Sequence, residues 1–364
     1  MRRWNSRGSI DTLKGLAKGK VEFLVTAGWD SSPCSFEGNG SVVPHILKVV
    51  HGSIISRRFD QAVYSSGRLM VGCGASWYYR DGLCYDNLGE HPLYAQKWNS
   101  SAFVWPPSPV FVGDSVVFLR SFGSETNYYH FLVDLIPWVG QWMANENYKQ
   151  SIPVMMPIAH LPYQAEVIKR TQANIVPLPP ICEDILIQSP LIFAVAFPRA
   201  DNDVNPNAVP YLRSLFAAEC RRQPCEQSAL PQRILIRRGG NCLRPCYNEE
   251  QVAIALAEVG FVAIYTDKLT VSDQAKLFAN ADLIVAQHGA ALANLVFSSP
   301  ETIVVELIGA GWQYTMYQQI SKSNQLDHHV FYCADDEANG IVVEIPKLLA
   351  LLRTLEPADR CPGP

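Results

Sequence analysis

Near the C-terminal end of the chain, His288 and Gly289 lie at a predicted helix start suited to binding an anion, and Glu306 follows them on the next predicted strand. An apolar strand is predicted at 283–286, a tight turn follows at His288 and Gly289, and a helix begins at once. Unpaired backbone N–H groups and the helix dipole attract phosphate at such a helix start. Glu306 ends the next apolar strand, at the edge where open α/β sheets hold ligands. We therefore predict a phosphate-binding site, with Glu306 accepting from a ribose hydroxyl; a structural hydrogen-bonding role for His288 is the alternative.

Basic side chains follow an earlier strand of the same half of the chain. Arg237 and Arg238 come directly after the apolar run 234–236, and Arg244 and Asn248 follow them. Guanidinium groups suit phosphate because their donors form a rigid fork with a permanent charge. Asn248 and the acidic residues after it predict a capping box at a helix start. We expect the arginines to point to the same edge of the sheet as His288; a pair of surface cations is the alternative.

A helix predicted over residues 127–145 carries a second candidate group. Its apolar residues recur on one face, and Asn127, His130 and Asp134 form a polar stripe beside that face. His130 and Asp134 lie one turn apart, so they can touch and act as an acid–base pair. A solvent-exposed pair without such a role is the alternative. Pro137 should kink this helix or end its first section.

The elements that position these groups change in character along the chain. Residues 40–120 read as short strands punctuated by Gly, Asn and Pro. A polar, proline-containing stretch at 221–231 is the predicted linker, which gives domains of 1–225 and 226–364. After the linker, strands and helices alternate with short connections, which predicts a parallel, doubly wound sheet. A last helix near 345–355 is expected to pack on the outside or to cross back to the first domain.

Composition and missing motifs exclude several classes of protein. The 364 residues carry a formal net charge of −4 without a long basic run, so we expect no nucleic-acid partner. The first twenty residues contain no long apolar block, so we predict no signal peptide and no membrane span. A cytoplasmic protein is expected, and the basic start leaves peripheral contact with the inner face of a membrane open. The cysteine pairs lack zinc-site partners, and Gly309-Ala310-Gly311 lacks the third glycine of a dinucleotide fingerprint. We therefore predict no metal and no resident cofactor.

Four blocks, taken together and in this order, resemble glycosyltransferase family 61. They cover roughly residues 110 to 310 and comprise 125–134, Arg237-Arg238 with Arg244 and Asn248-Glu249, 288–295, and 304–307. The resemblance implies a GT-B architecture, meaning two Rossmann-like α/β domains facing a cleft, here with a β-rich N-terminal portion. It also implies inverting sugar transfer without a bound metal. Bacterial members are often labelled capsular polysaccharide biosynthesis proteins, and eukaryotic relatives transfer N-acetylglucosamine or xylose.

The resemblance also implies roles for residues. His130 and Asp134 match a His-x-x-x-Asp motif on the acceptor side, beside Asn127 and Tyr129. Donor-phosphate contacts fall on Arg237 or Arg238 with Arg244. The helix-start turn falls on His288 and Gly289, and the strand-end acid on Glu306. Asn248 is a further candidate for donor binding. Two departures are Ile236, where a serine is frequent, and Ala291, where a second glycine is common.

Together these observations predict a glycosyltransferase that moves a sugar from a nucleoside-diphosphate sugar, its co-substrate, to a carbohydrate acceptor of surface or capsular polysaccharide. Asp134 is the expected general base, with His130 orienting or replacing it. A nucleotide-sugar epimerase and a non-catalytic nucleotide-sugar-binding protein are the alternatives.

Overall fold

The computed structural model describes residues 20–24, 46–56, 61–65, 68–73, 76–78, 83–84, 109–111, 115–121, 123–178, 185–195, 204–222, 230–238, 244–312, 314–336 and 340–355. The chain divides into two compact units, Met1–Asp203 and Val204–Pro364. In the described part of the chain, no helix is long and apolar enough to cross a membrane.

The described strands of the first unit form one mixed sheet. They are β1 (Lys20–Leu24), β2 (Ile46–Ser56), β3 (Gln61–Ser65), β4 (Arg68–Cys73), β5 (Ser76–Tyr78), β6 (Leu83–Cys84), β7 (Pro109–Phe111), β8 (Ser115–Phe118), β9 (Val154–Pro157), β10 (Ile175–Leu178) and β11 (Ile185–Val195). The main path is β10-β9-β8-β11-β2-β3-β4-β5. Strands β2 to β5 pair antiparallel because the connections between them are too short for a crossover. Strand β8 lies parallel to β9 and β11.

This sheet confirms the β-rich N-terminal portion, but its antiparallel half differs from the Rossmann-like first domain that the resemblance implied. The strand predicted at residues 41–43 lies outside the described residues.

The helix predicted at 127–145 is present and changes type along its length. Residues His130–Leu135 form a π-helix, and α1 (Ile136–Met143) continues it as an α-helix. Ile136 donates its backbone N–H to the carbonyl of Phe131, the wider π spacing. Pro137 has no N–H to continue that ladder, so it ends the first section at the predicted place. A further helix of this unit is α2 (Pro162–Thr171).

The second unit contains the predicted doubly wound sheet. Its strands are β12 (Arg233–Ile236), β13 (Val262–Ile264), β14 (Leu283–Gln287), β15 (Ile303–Gly309), β16 (Asp327–Asp335) and β17 (Ile341–Val342), in the order β13-β12-β14-β15-β16-β17. All neighbours are parallel except β16 and β17. The helices are α3 (Ala208–Leu215), α4 (Glu249–Ala257), α5 (Val271–Asn280), α6 (Met316–Ser323) and α7 (Ile345–Leu355), with 3-10 helices at Thr266–Lys268 and Ala290–Phe297.

The last helix and the boundary between the units can be compared with the expectations. Helix α7 packs on the second unit, one of the two expected placements: its buried Leu348 and Leu352 share a hydrophobic core with Val285 and Val305. The division between the units falls after Asp203, before the expected 225/226 boundary. Helix α3 lies with the second unit because the Phe216 ring that follows it packs against Phe297, with the ring centroids 5.1 Å apart.

Candidate functional site

The strand order of the second unit reverses at one point. In chain order within this unit its parallel strands run 2-1-3-4-5, and the reversal lies between β12 and β14. Ligands of doubly wound sheets bind beyond the carboxyl ends of the strands at this point. Arg237 and Arg238 follow β12, and His288 and Gly289 follow β14. The two strand ends are joined directly, because Arg238 Nη1 donates to the carbonyl oxygen of His288 at 2.8 Å.

Gly289 allows this close approach. A Cβ atom at this position would lie 3.1 Å from both Cζ and Nη1 of Arg238. The backbone of Gly289 is extended, with φ 173°, so the requirement for glycine is space rather than conformation. The helical segment Ala290–Phe297 starts directly afterwards as a 3-10 helix, so its first N–H groups lie beside the guanidinium group. A permanent cation and unpaired donors therefore share one edge.

The two neighbouring arginines differ in how their charge is compensated. Arg237 Nη2 contacts Glu249 at 3.1 Å and Glu250 at 2.8 Å. Arg238 pairs with no carboxylate among the described residues, and Glu249 accepts its backbone N–H at 2.9 Å. The positive charge of Arg237 is thus largely neutralised, whereas that of Arg238 is available to an anion. The structure favours Arg238 as the phosphate contact.

Behind His288 lies a buried acidic side chain. His288 Nδ1 lies 2.5 Å from Glu306 Oε1, and His328 Nε2 lies 3.0 Å from Glu306 Oε2. Glu306 is only 1% exposed. Burial by itself raises the pKa of Glu306, but the hydrogen bonds from His288 and His328 outweigh it, and the net effect lowers the pKa. Both oxygens of the carboxylate are therefore occupied by imidazoles, and this placement favours a role in orienting His288 over the expected contact with a ribose.

Aromatic rings surround His288. Tyr314 stacks on its imidazole at 5.7 Å between centroids, Tyr317 meets it edge-on at 4.9 Å and Trp312 lies at 5.9 Å. The guanidinium of Arg244 lies over the Trp312 ring at 4.6 Å. Arg244 thus reaches the same neighbourhood as His288, as the sequence predicted. The aromatic residues were missed, although they directly follow β15 and could have been found by extending the strand-end rule to the next loop.

Asn248 has a structural task in this unit. Its Nδ2 donates to the carbonyl of Val343 at 2.8 Å, and its Oδ1 accepts the Val343 N–H at 2.9 Å. It makes no side-chain cap on α4, so the expected capping box is wrong. The Glu249 carboxylate instead accepts from Arg237 and from the backbone of Arg238. Asn248 therefore joins the start of α4 to the strand region at the edge of the sheet.

In the first unit, the predicted contact between His130 and Asp134 is formed. His130 Nδ1 lies 2.7 Å from Asp134 Oδ2, with side-chain exposures of 17% and 9%. Tyr129 is buried and its ring meets the His130 ring edge-on. Asn127 Oδ1 accepts the backbone N–H groups of Tyr129 at 2.9 Å and His130 at 3.3 Å, which caps the start of the helix.

Gly123 and Gln164, which the sequence reasoning missed, hold this pair in place. Gly123 has φ +70°, and a Cβ there would lie 2.9 Å from His130 Cδ2. Gln164, fully buried, donates to the carbonyls of Ser124 at 3.3 Å and Glu125 at 2.9 Å. The turn before the helix is therefore tied to α2. Gly123 could have been identified from the sequence, because it is a glycine in a turn just before a helix that starts with polar residues.

Comparison with known proteins identifies the class to which this arrangement belongs. Residues 128–305 match the family model described as Glycosyltransferase 61. This match confirms the resemblance of the motifs to glycosyltransferase family 61 over this part of the chain. The match starts two residues before His130 and ends one residue before Glu306.

Two plant proteins are among the relatives. The chain is 33% identical over 119 residues to beta-1,2-xylosyltransferase XAX1 of Oryza sativa subsp. japonica, covering 31% of this chain and 21% of that protein. It is 29% identical over 87 residues to a beta-1,2-xylosyltransferase of Arabidopsis thaliana, covering 24% of this chain and 16% of that protein. The match thus spans about a fifth or less of the length of these relatives.

Proposed function

We propose that the protein is an inverting glycosyltransferase that moves a sugar from a nucleoside-diphosphate sugar to a carbohydrate acceptor. The observation that carries the proposal is the contact between Arg238 and the His288–Gly289 turn at the strand-order reversal. It places an uncompensated cation and the start of a helix at the sheet edge where doubly wound folds bind phosphates.

The charge at this edge suits the leaving group of the reaction. When the bond between the anomeric carbon and the diphosphate breaks, negative charge grows on the departing oxygen. Arg238, Arg244 and the N–H groups after Gly289 would stabilise that charge, the role that a divalent cation has in other transferases. The proposal therefore includes transfer without a bound metal.

His130 and Asp134 are the proposed acid–base pair. The Asp134 carboxylate holds Nδ1 of His130 at 2.7 Å, so Nε2 of the ring is the nitrogen directed away from it. His130 is the more exposed partner, and it would take the proton from the acceptor hydroxyl while the oxygen attacks the anomeric carbon. Asp134 would orient the ring, which reverses the order of roles expected from the sequence.

The sugar and the setting are further parts of the proposal. Both plant relatives are named as beta-1,2-xylosyltransferases, so xylose is the first sugar to test. The proposal also includes a GT-B arrangement, a place in surface or capsular polysaccharide synthesis and a cytoplasmic location. These three parts are based on the family resemblance and on the sequence.

A thermal-shift panel tests the donor. UDP-xylose, UDP-N-acetylglucosamine, UDP-glucose and GDP-mannose are added separately, each with and without EDTA. We expect one of them to raise the melting temperature equally in both conditions, because a ligand that binds the folded state stabilises it by mass action. No shift with any member, or a shift abolished by EDTA, would contradict the proposed donor site.

Transfer of the sugar to a panel of oligosaccharide acceptors then tests the chemistry, by mass spectrometry of the products. His130→Ala should lower the rate by about 100-fold or more, the range for losing a general base. Donor binding should stay unchanged, and Lys149→Ala, an exposed residue after the same helix, is the control. Binding without transfer by the wild-type protein would favour a non-catalytic binding protein.

A further inference from the structure

A second histidine, His328, lies on the far side of the Glu306 carboxylate. Four buried side chains form one line: Ser321 Oγ lies 2.7 Å from His328 Nδ1, His328 Nε2 lies 3.0 Å from Glu306 Oε2, and Glu306 Oε1 lies 2.5 Å from His288 Nδ1. Ser321 and Glu306 are each 1% exposed. The Ser–His–acid order resembles a hydrolase triad, but no substrate could reach a serine this deeply buried. The line ends on His288, whose own side chain is 7% exposed and which lies in the turn that follows β14.

The contacts fix where the protons lie. An ionised carboxylate is purely an acceptor, so both imidazole nitrogens that face Glu306 carry a proton. In the neutral form of the His328 ring, Nδ1 is then an acceptor, and the Ser321 hydroxyl is a matching donor. His288 carries its proton on Nδ1, which leaves Nε2 as the nitrogen directed away from Glu306. That nitrogen makes no hydrogen bond within the described residues, and the imidazole as a whole packs against the rings of Tyr314 and Tyr317.

We propose that His328 is a positioning residue which, through Glu306, holds His288 in the Nδ1-protonated form and presents its Nε2 to the ligand edge. His328 and Ser321 supply the second hydrogen bond that keeps the carboxylate from rotating away from His288. The outer-shell partner of a histidine commonly sets its tautomer and ring orientation in this way. The effect on a bound diphosphate rests on the proposed function, whereas the effect on the His288 tautomer does not.

Nitrogen-15 NMR of the histidine side chains, on the protein without donor near neutral pH, reads the tautomer directly. We expect wild-type His288 to show protonated Nδ1 and unprotonated Nε2. His328→Phe removes the donor to Glu306 Oε2 and should give His288 a mixture of tautomers. His328→Gln places an amide N–H near the same position and should restore the wild-type pattern. His329→Gln is the matched control, because the adjacent His329 is 31% exposed and pairs with Asp327.

Glu306→Gln provides a second test that does not depend on the folding of the phenylalanine variant. An amide offers one acceptor and one donor, so one of the two imidazoles must change its protonated nitrogen. An unchanged His288 pattern in His328→Phe, or unchanged patterns for both histidines in Glu306→Gln, would overturn the proposal. A change in the His329→Gln control equal to that in His328→Phe would overturn it as well.

Donor affinity, measured by calorimetry with the nucleotide sugar chosen by thermal shift, tests the link to function. We expect His328→Phe to bind about tenfold more weakly, a loss of about 1.4 kcal/mol, and His328→Gln to bind like the wild type. If the tautomer changes as expected but the wild-type protein binds no nucleotide sugar, the positioning role stands and the proposed function fails. If the wild-type protein binds the donor but the His288 tautomer does not change in the variants, the proposed function stands and the positioning role fails.

Discussion

Replacing Glu306 by Gln should reveal how much the buried carboxylate contributes to the second unit. Glu306 is 1% exposed and accepts from two imidazoles, and the amide can accept from one of them at most. Hydrogen bonds to a buried charge contribute about 1.5–3 kcal/mol each. Burying a neutral amide costs less than burying a carboxylate, which offsets part of the loss. We therefore expect the free energy of unfolding to fall by about 1–3 kcal/mol at pH 7.

A melting curve followed by circular dichroism measures this loss. For a unit of this size, 1 kcal/mol corresponds to about 2–4 °C, so the melting temperature should fall by about 2–12 °C. Glu258→Gln is the control, because Glu258 is exposed at the end of α4 and should shift the free energy by less than about 0.5 kcal/mol. Equal melting temperatures for Glu306→Gln and the wild type would refute the reasoning.

The pH dependence of the difference in melting temperature tests whether Glu306 is ionised in the folded protein. The folded-state pKa of Glu306 is lowered, so its ionised form stabilises the fold above the unfolded pKa of about 4.3 and loses that effect as pH falls through the folded pKa. The gap in melting temperature between the wild type and Glu306→Gln should be full above about pH 5 and shrink below about 4.3. A gap that does not change with pH would show that the carboxylate is not ionised in the folded protein.

Three other substitutions have expected outcomes. Gly123→Ala forces a side chain into φ +70° and against His130, so it should lower the free energy of unfolding by about 1 kcal/mol or more and slow transfer in the sugar-transfer assay. Unchanged turnover would remove Gly123 from its positioning role. Gly289→Ala pushes the Arg238 guanidinium aside, so calorimetry should show weaker donor binding while the melting temperature stays nearly constant, and equal affinity would contradict the close approach. Asn248→Ala removes two hydrogen bonds to the backbone of Val343 and should lower the free energy of unfolding by about 1–3 kcal/mol. An unchanged melting temperature with a loss of donor affinity would instead support the donor contact that the sequence predicted for Asn248.

The elements of the second unit were largely predictable from periodicity. The apolar runs that became β12, β14 and β15 are short and bounded by turn residues, so their alternation with helices could indicate one fold. Strand β16 was not predicted, although its sequence, Asp327 to Asp335, contains the apolar run Val330-Phe331-Tyr332-Cys333-Ala334. The mixed sheet of the first unit depends on pairings between distant strands such as β2 and β11, and local sequence does not encode them.

The sequence was sufficient to select individual residues of the candidate site, but not to predict which of them contact each other. A carboxylate closing a buried strand needs a partner, and the sequence reasoning looked for a hydroxyl or a cation outside the chain. The structure supplies two imidazoles, and His328 comes from a strand that the periodicity did not reveal. Similarly, Arg237 and Arg238 are indistinguishable as neighbours in a sequence, and the placement of Glu249 and Glu250 separates them.

The central claim, that the donor diphosphate binds where β12 and β14 end, is tested most directly by calorimetric titration of three proteins. The nucleotide sugar with the largest thermal shift is titrated into the wild type, Arg238→Ala and Arg222→Ala. Arg222 pairs with Asp282 at the opposite, amino end of β14, so it is a matched control for charge. We expect Arg238→Ala to bind about 10- to 150-fold more weakly, the equivalent of losing about 1.5–3 kcal/mol, and Arg222→Ala to bind like the wild type. Equal affinities in all three proteins would contradict the account.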